Sequence, residues 1–364
     1  MQYKFLIYIS YSYSVPIGIP LEKEIKSRGY KVNWFSDIED GKEAISNKTN
    51  VIKNVKELID YRPDIVLAAT DLVADFITGL KVQIFHGFNA YKRPEKNNKF
   101  AHFRIRGFFD LYCTQGPNTT NRFKEIQKKN NHFEVIETGW SKVDPLFPIK
   151  KKSIDDKPTI MIASTFTKRL SLAYNEEVYE TIKRIVNNGN YMFIMVLHPK
   201  IPVRIVNKWK SLKSNNFNYY DTTDLIPLFK KSDILFSDTT SAIQEFILQK
   251  KPVVTYNHTM KFNYLLQISQ AKFIEKTFEK ALTYPSNLLQ NINCYINKLH
   301  PYNDGKSSQR IIDASIKYLH KNKKNKKNKP INIIRKYKIR KRLKYFTLRS
   351  FNKPFTIKTQ RKND

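Results

Sequence analysis

Glycine is scarce: ten in 364 residues, with no GxGxxG run among them, which removes the commonest dinucleotide-binding fingerprint. Cysteine is scarcer still. Cys113 and Cys294 alone cannot build a disulfide framework or a zinc cluster, and both read as buried thiols of an intracellular protein. No HExxH, CxxC or DxD pattern occurs, so no residue spacing announces a metal, and none is expected. Gly305, Lys306 and Ser307 lack the upstream glycine of a phosphate-binding P-loop. Long apolar runs are missing too. The best, IVLAATDLVADFITGL, is broken by Asp71 and Asp75, short of the roughly 20 residues a membrane-spanning helix requires. The opening MQYKFLIYISYSYS has neither a charged head nor a small-residue cleavage site, so it does not read as a secretory signal.

What is present is apolar material and positive charge. Hydrophobic residues make up 41% and aromatics 13%, enough for one or two cores and incompatible with a wholly disordered chain. Length suggests two domains. The 65 Lys/Arg against 32 Asp/Glu leave a net charge of +33. About half of it falls in residues 321–364, which carry 18 Lys/Arg and one acidic residue. KNKKNKKNKP (321–330) is too polar to bury and reads as a solvated linker. Beyond Pro330, Ile333, Ile334, Tyr337, Ile339, Leu343, Phe346 and Leu348 supply the apolar side of a short basic amphipathic helix. That suits an anionic membrane surface. Nucleic acid is a lesser alternative, and a Lys/Asn-biased floppy terminus would have the same composition.

Strand and helix signals alternate. FLIYIS, KVNWFSD, IVLAAT and KVQIFHG read as strands, with helices at about 20–28, NVIKNVKELIDY and LVADFITGL. A second series follows: TIMIAST, YMFIMVLHP, FNYYD, ILFSD and PVVTYN as strands, with helices at NEEVYETIKRIVNNG, VRIVNKWKSLK, DLIPLFKKS, SAIQEFILQK and GKSSQRIIDASIKYL. Such alternation implies βαβ units and parallel sheets. The expected architecture is α/β, two doubly wound Rossmann-like domains facing a cleft. They span residues 1–150 and 151–320, joined through PLFPIKKKSIDDKP, with a basic tail at 321–364.

In open parallel sheets, ligands bind beyond the carboxyl ends of strands, so polar residues there are the candidates. His86, before Gly87 in IFHG, and His198, before Pro199 in VLHP, occupy such ends, one per series. Each could act near neutral pH, and each alone could be a loop histidine bonded to a carbonyl. In SDTTSAIQEF, Asp238 ends a strand while Thr239, Thr240 and Ser241 open a helix. Hydroxyls and free N–H groups there suit a phosphate, though ordinary capping uses the same residues. Ser164, Thr165, Thr167, Lys168 and Arg169 follow another strand and would suit an anionic donor or simply line a solvated loop. His102 and His132 read as surface residues.

Taken in order, IFHG (84–87), GWSKVD (139–144), IASTFTKR (162–169), VLHP (196–199), DLIPLFKKSDILFSDTTSAIQE (224–245) and DGKSSQRI (304–311) resemble the CDP-glycerol glycerophosphotransferase family. These are the teichoic-acid primases and polymerases of GT-B fold. The resemblance covers about residues 60–320, and the run at 224–245 is its most specific part. It implies transfer of glycerol phosphate from CDP-glycerol to a hydroxyl of a lipid-linked or surface-glycan acceptor, with release of CMP and without a cofactor. It further implies His86 as base and His198 as the second essential histidine. Thr165, Arg169, Asp238, Thr239, Thr240, Ser241 and Glu245 would lie around the donor phosphates. Phe85 stands where the family has Trp, Ser164 where it has Pro, and Thr167 where an Arg falls, leaving Arg169 as its substitute. Thr239 and Thr240 replace a Tyr and a Ser.

The expected setting is the cytoplasmic face of the cell membrane, with residues 321–364 on anionic lipid. DGKSSQRI also resembles UDP-N-acetylglucosamine 2-epimerases, so a GT-B glycosyltransferase or nucleotide-sugar epimerase is the second enzyme reading. A nucleic-acid-binding protein acting through the tail is the reading of another class; it leaves both histidines idle.

Overall fold

The computed structural model describes residues 2–89, 103–149, 157–321 and 327–346, and it divides into two compact units. In the first, strands β1 (Lys4–Ile9), β2 (Lys31–Ser36), β3 (Ile65–Ala68), β4 (Leu80–Gln83), β5 (Leu111–Thr114) and β6 (Glu134–Glu137) form one sheet in the order β2-β1-β3-β4-β5-β6. Every pairing in it is parallel. The crossovers carry α1 (Val15–Ser27), α2 (Glu39–Ile45), α3 (Val55–Tyr61) and α4 (Pro117–Asn130). Local chemistry sets their ends. The Asn54 side chain accepts the Glu57 N–H at 2.9 Å while the Glu57 carboxylate accepts the Lys53 N–H at 2.9 Å, a reciprocal cap that starts α3.

The second unit repeats the plan. Strands β7 (Thr159–Ser164), β8 (Met192–Leu197), β9 (Phe217–Tyr219), β10 (Ile234–Ser237), β11 (Val253–Tyr256) and β12 (Leu266–Ile268) run parallel in the order β12-β11-β10-β7-β8-β9. Its helices are α5 (Glu176–Asn188), α6 (Val203–Lys210), α7 (Ile226–Lys231), α8 (Ala242–Phe246), α9 (Ile274–Leu282) and α10 (Ser286–Leu299). Continuous buried runs such as MFIMVL fit strands covered on both faces. Asn175 caps α5 by accepting the Val178 N–H at 3.0 Å, and Gly189, at φ 73°, closes it in the left-handed region.

The chain then returns to the first unit with α11 (Ser307–Leu319) and α12 (Ile333–Arg342). The expected boundaries therefore shift: among the described residues the first unit comprises 2–86, 103–145, 302–321 and 327–346, the second 87–89, 146–149 and 157–301. Sequence order places residues 302–320 with the second domain, but their contacts lie in the first. The Asp144 carboxylate of GWSKVD accepts the Ser307 and Ser308 N–H groups at 2.8 and 2.6 Å, capping α11. Arg28, at the C-terminal cap of α1, pairs with Asp313 on α11 at 2.5 Å.

Other expectations change as well. The stretch 72–79 is irregular between β3 and β4, although its buried Val73, Ala74 and Ile77 stand at helical spacing in the first unit's core. Gly79 ends it at φ 94°, where a Cβ would meet the Pro63 carbonyl oxygen at 2.3 Å. Cys113 is buried but Cys294 is exposed. His132 is buried; His102 lies outside the described residues, as does Leu348.

The tail differs most. Residues 322–326 are outside the description; Lys321, Lys327, Asn328 and Pro330 are exposed as a solvated linker would be, whereas Lys329 donates to the Phe108 carbonyl at 3.0 Å and pairs with Asp110 at 2.8 Å. Ile339 belongs to the first unit's core and Leu343 packs against it, so neither faces outward. Arg340 is 0% exposed and grips the Asp75 carboxylate through Nε at 3.1 Å and Nη2 at 2.7 Å. No helix among the described residues is long and apolar enough to cross a membrane.

Candidate functional site

In the second unit the carboxyl ends of β7, β8, β10 and β11 carry the candidates. Asp238, fully buried past β10, faces inward rather than toward solvent. It accepts the Ser164 hydroxyl at 2.5 Å, the Thr165 N–H at 3.0 Å and the Leu172 N–H at 3.0 Å. It is thus a strut that holds the 165–172 loop over the strand ends, a positioning residue rather than a ligand to phosphate. Asp238→Asn turns an acceptor into a donor against those N–H groups. The expected cost is about 2–3 kcal/mol, read as a lowered denaturation midpoint; an unchanged midpoint would refute the strut.

Thr239 is buried, and its hydroxyl accepts the Thr259 N–H at 3.2 Å, joining the β10 and β11 turns. Thr240 and Ser241 are partly exposed at the start of α8, and Glu245 is buried one turn farther along. The hydroxyls available to an anion are therefore those of Thr240 and Ser241. Thr165 is buried at the strut, whereas Lys168 and Arg169 are exposed along the loop.

His198 follows β8. Its ring lies 4.5 Å, centroid to centroid, from Phe166 of the strutted loop. Its Nδ1 accepts the Lys200 N–H at 3.1 Å. A ring nitrogen that accepts holds no proton, so the neutral imidazole carries its hydrogen on Nε2. The chain itself selects the tautomer that can donate to an oxyanion.

His258 is a residue the sequence reading passed over. It follows β11, two residues beyond Tyr256, and its Nδ1 lies 2.9 Å from the Met260 carbonyl oxygen. Burial pulls its pKa below the ordinary histidine value, partly offset by that carbonyl. The available signal was positional: PVVTYNHT places a histidine just past a strand end.

In the first unit, His86 is exposed beyond β4. Phe85 before it adopts φ 57°, a left-handed conformation costing a non-glycine residue about 1–2 kcal/mol. Trp140 of GWSKVD holds it there, donating its indole N–H to the Phe85 carbonyl at 3.2 Å. The result turns His86 out of the strand direction. Tyr13, past β1, lies 6.1 Å from the His86 ring, and burial pushes its phenol up to about 12, keeping it a neutral donor. Gln83 and Gln115, at the ends of β4 and β5, are buried with amides that have no hydrogen-bond partner among the described residues. SYSYS and the two glutamines also went unread, because polar residues after a strand are common and their burial is invisible in sequence.

The structure thus gathers Thr165, His198, Asp238–Ser241 and Glu245 within the second unit, with Arg169 exposed on the same loop, and places His86 in the first. Among the described residues no group of three or more His, Cys, Asp or Glu side chains converges.

The family model described as UDP-N-acetylglucosamine 2-epimerase matches residues 110–315. A teichoic acid glycerol-phosphate primase of Bacillus subtilis is 26% identical over 231 residues, covering 58% of this chain and 58% of the primase. Among solved structures, the wall teichoic acid polymerase TagF superposes with a TM-score of 0.59 at 13% identity, over 86% of this chain and 88% of that one. A UDP-GlcNAc 2-epimerase from Neisseria meningitidis, bound to UDP-GlcNAc, gives 0.58 at 16% identity, over 86% and 100%. The two parallel six-stranded sheets, which the alternating pattern implied, are those of a GT-B-like α/β fold, as the family resemblance implied.

Proposed function

Because the chain belongs to the UDP-N-acetylglucosamine 2-epimerase family, we propose that it acts on a nucleotide-diphosphate donor held at the strand ends of its second unit, transferring glycerol phosphate from CDP-glycerol. The acceptor is a hydroxyl of a lipid-linked glycan at the inner face of the cell membrane, and the leaving group is CMP. The similarity to the glycerol-phosphate primase carries this choice of donor; the chain spans about 58% of that relative's length.

The chemistry divides among the residues as follows. The acceptor oxygen attacks the phosphorus bearing glycerol, forming a phosphodiester, while the bond from that phosphorus to the CMP oxygen breaks. His86 takes the acceptor proton. His198, with its hydrogen on Nε2, donates to the phosphate oxygens as charge moves onto the leaving CMP. Thr240, Ser241 and the exposed cations Lys168 and Arg169 neutralise the remaining charge, and Asp238, Thr165 and Thr239 hold the two turns in register. Phosphoryl transfer asks mainly for alignment and charge stabilisation, which such groups supply.

The family match and DGKSSQRI favour a second reading, 2-epimerisation of a UDP-sugar. Purified protein incubated with CDP-glycerol and a glycan acceptor should release CMP, and CDP-glycerol should raise the thermal midpoint more than UDP-N-acetylglucosamine does. Epimer formation from UDP-N-acetylglucosamine without acceptor, and no response to CDP-glycerol, would replace the first reading by the second.

A further inference from the structure

The described side chains of α12 and the residues flanking it separate into two sets. One set faces the protein. Arg340 holds Asp75, Arg342 reaches Asp37 at 2.6 Å, Ile339 enters the core, and Asn332 donates to the Arg106 carbonyl at 2.5 Å. The other set faces away. Ile331, Ile333, Ile334, Tyr337 and Phe346 are 61%, 65%, 71%, 51% and 58% exposed, with the Tyr337 and Phe346 rings 5.8 Å apart. Lys338, Lys341 and Lys344 are exposed beside them, and residues 327–346 contain no acidic residue.

We propose that this outward face of α12 is the surface on which the first unit rests against an anionic lipid bilayer. The inference deepens the functional reading above and rests on it for the membrane-borne acceptor. It goes further in assigning the contact to one face of a folded helix rather than to the tail at large. Water tolerates single exposed apolar residues but not a contiguous group of large ones without consequence. Nucleic acid would use the lysines and leave the isoleucines wet; a headgroup–acyl boundary takes both. Position agrees with the task. Asp37 follows β2, Asp75 follows β3 and His86 follows β4, so α12 is fastened at the same carboxyl end of the sheet that carries His86.

The test uses the full chain and vesicles of phosphatidylcholine with phosphatidylglycerol, against phosphatidylcholine alone. Two triple variants leave every inward contact intact: Ile333→Ser/Ile334→Ser/Tyr337→Ser and Lys338→Gln/Lys341→Gln/Lys344→Gln. Each should lower partitioning onto anionic vesicles by about 100-fold with an unchanged thermal midpoint, and the wild type should not bind neutral vesicles. Wild-type partitioning in both variants, equal binding to neutral vesicles, or displacement from anionic vesicles by stoichiometric duplex DNA would overturn the assignment. CMP release on a soluble acceptor is measured alongside. Its persistence in the variants supports a surface separate from the chemistry; its absence from the wild type would count against the reaction and leave the vesicle result standing.

Discussion

Replacing His198 with alanine should slow CMP release from CDP-glycerol by about 10²- to 10⁴-fold, and replacing His86 should do the same. The two variants should differ in rescue. The Lys200 N–H on Nδ1 leaves Nε2–H as the working donor of His198. Glutamine carries an N–H at about the Nε2 position, so His198→Gln should keep more activity than His198→Ala. His86 has to accept a proton, which an amide cannot do at neutral pH, so His86→Gln should be as slow as His86→Ala. Rates within a factor of three of wild type in both alanine variants would remove both histidines from the chemistry. Rescue by glutamine at 86 but not at 198 would exchange their roles.

The second large effect concerns stability. Arg340→Ala leaves the Asp75 carboxylate buried without its guanidinium partner, and breaking such a pair costs about 3–5 kcal/mol. Arg340 also lies over the Phe76 ring, 5.5 Å from its centroid, so packing is lost with the charge. Denaturant unfolding should show a markedly lower midpoint. The double substitution Arg340→Met with Asp75→Leu should recover much of the loss, because the guanidinium and its carboxylate leave together, although Lys81 and Lys336 also lose the attraction of Asp75. A single variant as stable as the wild type would mean that the tail adds nothing to the fold. The contrast with the outward lysines is the sharper point: removing those should leave the midpoint alone.

Much of the architecture was legible in the chain. Runs such as FLIYI, IVLA, TIMIAS and MFIMVL, separated by amphipathic stretches, have only one economical arrangement, parallel strands with helices on both faces. The strand-end positions of His86, His198 and the Asp238–Ser241 turn followed from the same alternation, because a strand's end is a local property of the sequence. Local reasoning stopped where function depends on direction. Asp238 stood among hydroxyls and read as one more phosphate neighbour, yet its carboxylate turns inward to N–H groups more than sixty residues earlier. LVADFITGL has a helical composition, but its apolar residues reach the core from an irregular path, and Asp75 serves a partner 265 residues away.

The amino-acid order by itself determined two parallel α/β sheets and which residues stand at their carboxyl ends, since apolar periodicity and turn chemistry act over a few positions. Only the tertiary structure decided that the closing helices belong to the first unit, and that some of the described basic residues at 327–346 are interior while others face out. The physical reason is burial. Lysine and arginine are written alike wherever they fall, and whether a cation meets water or a carboxylate is settled by what folds over it.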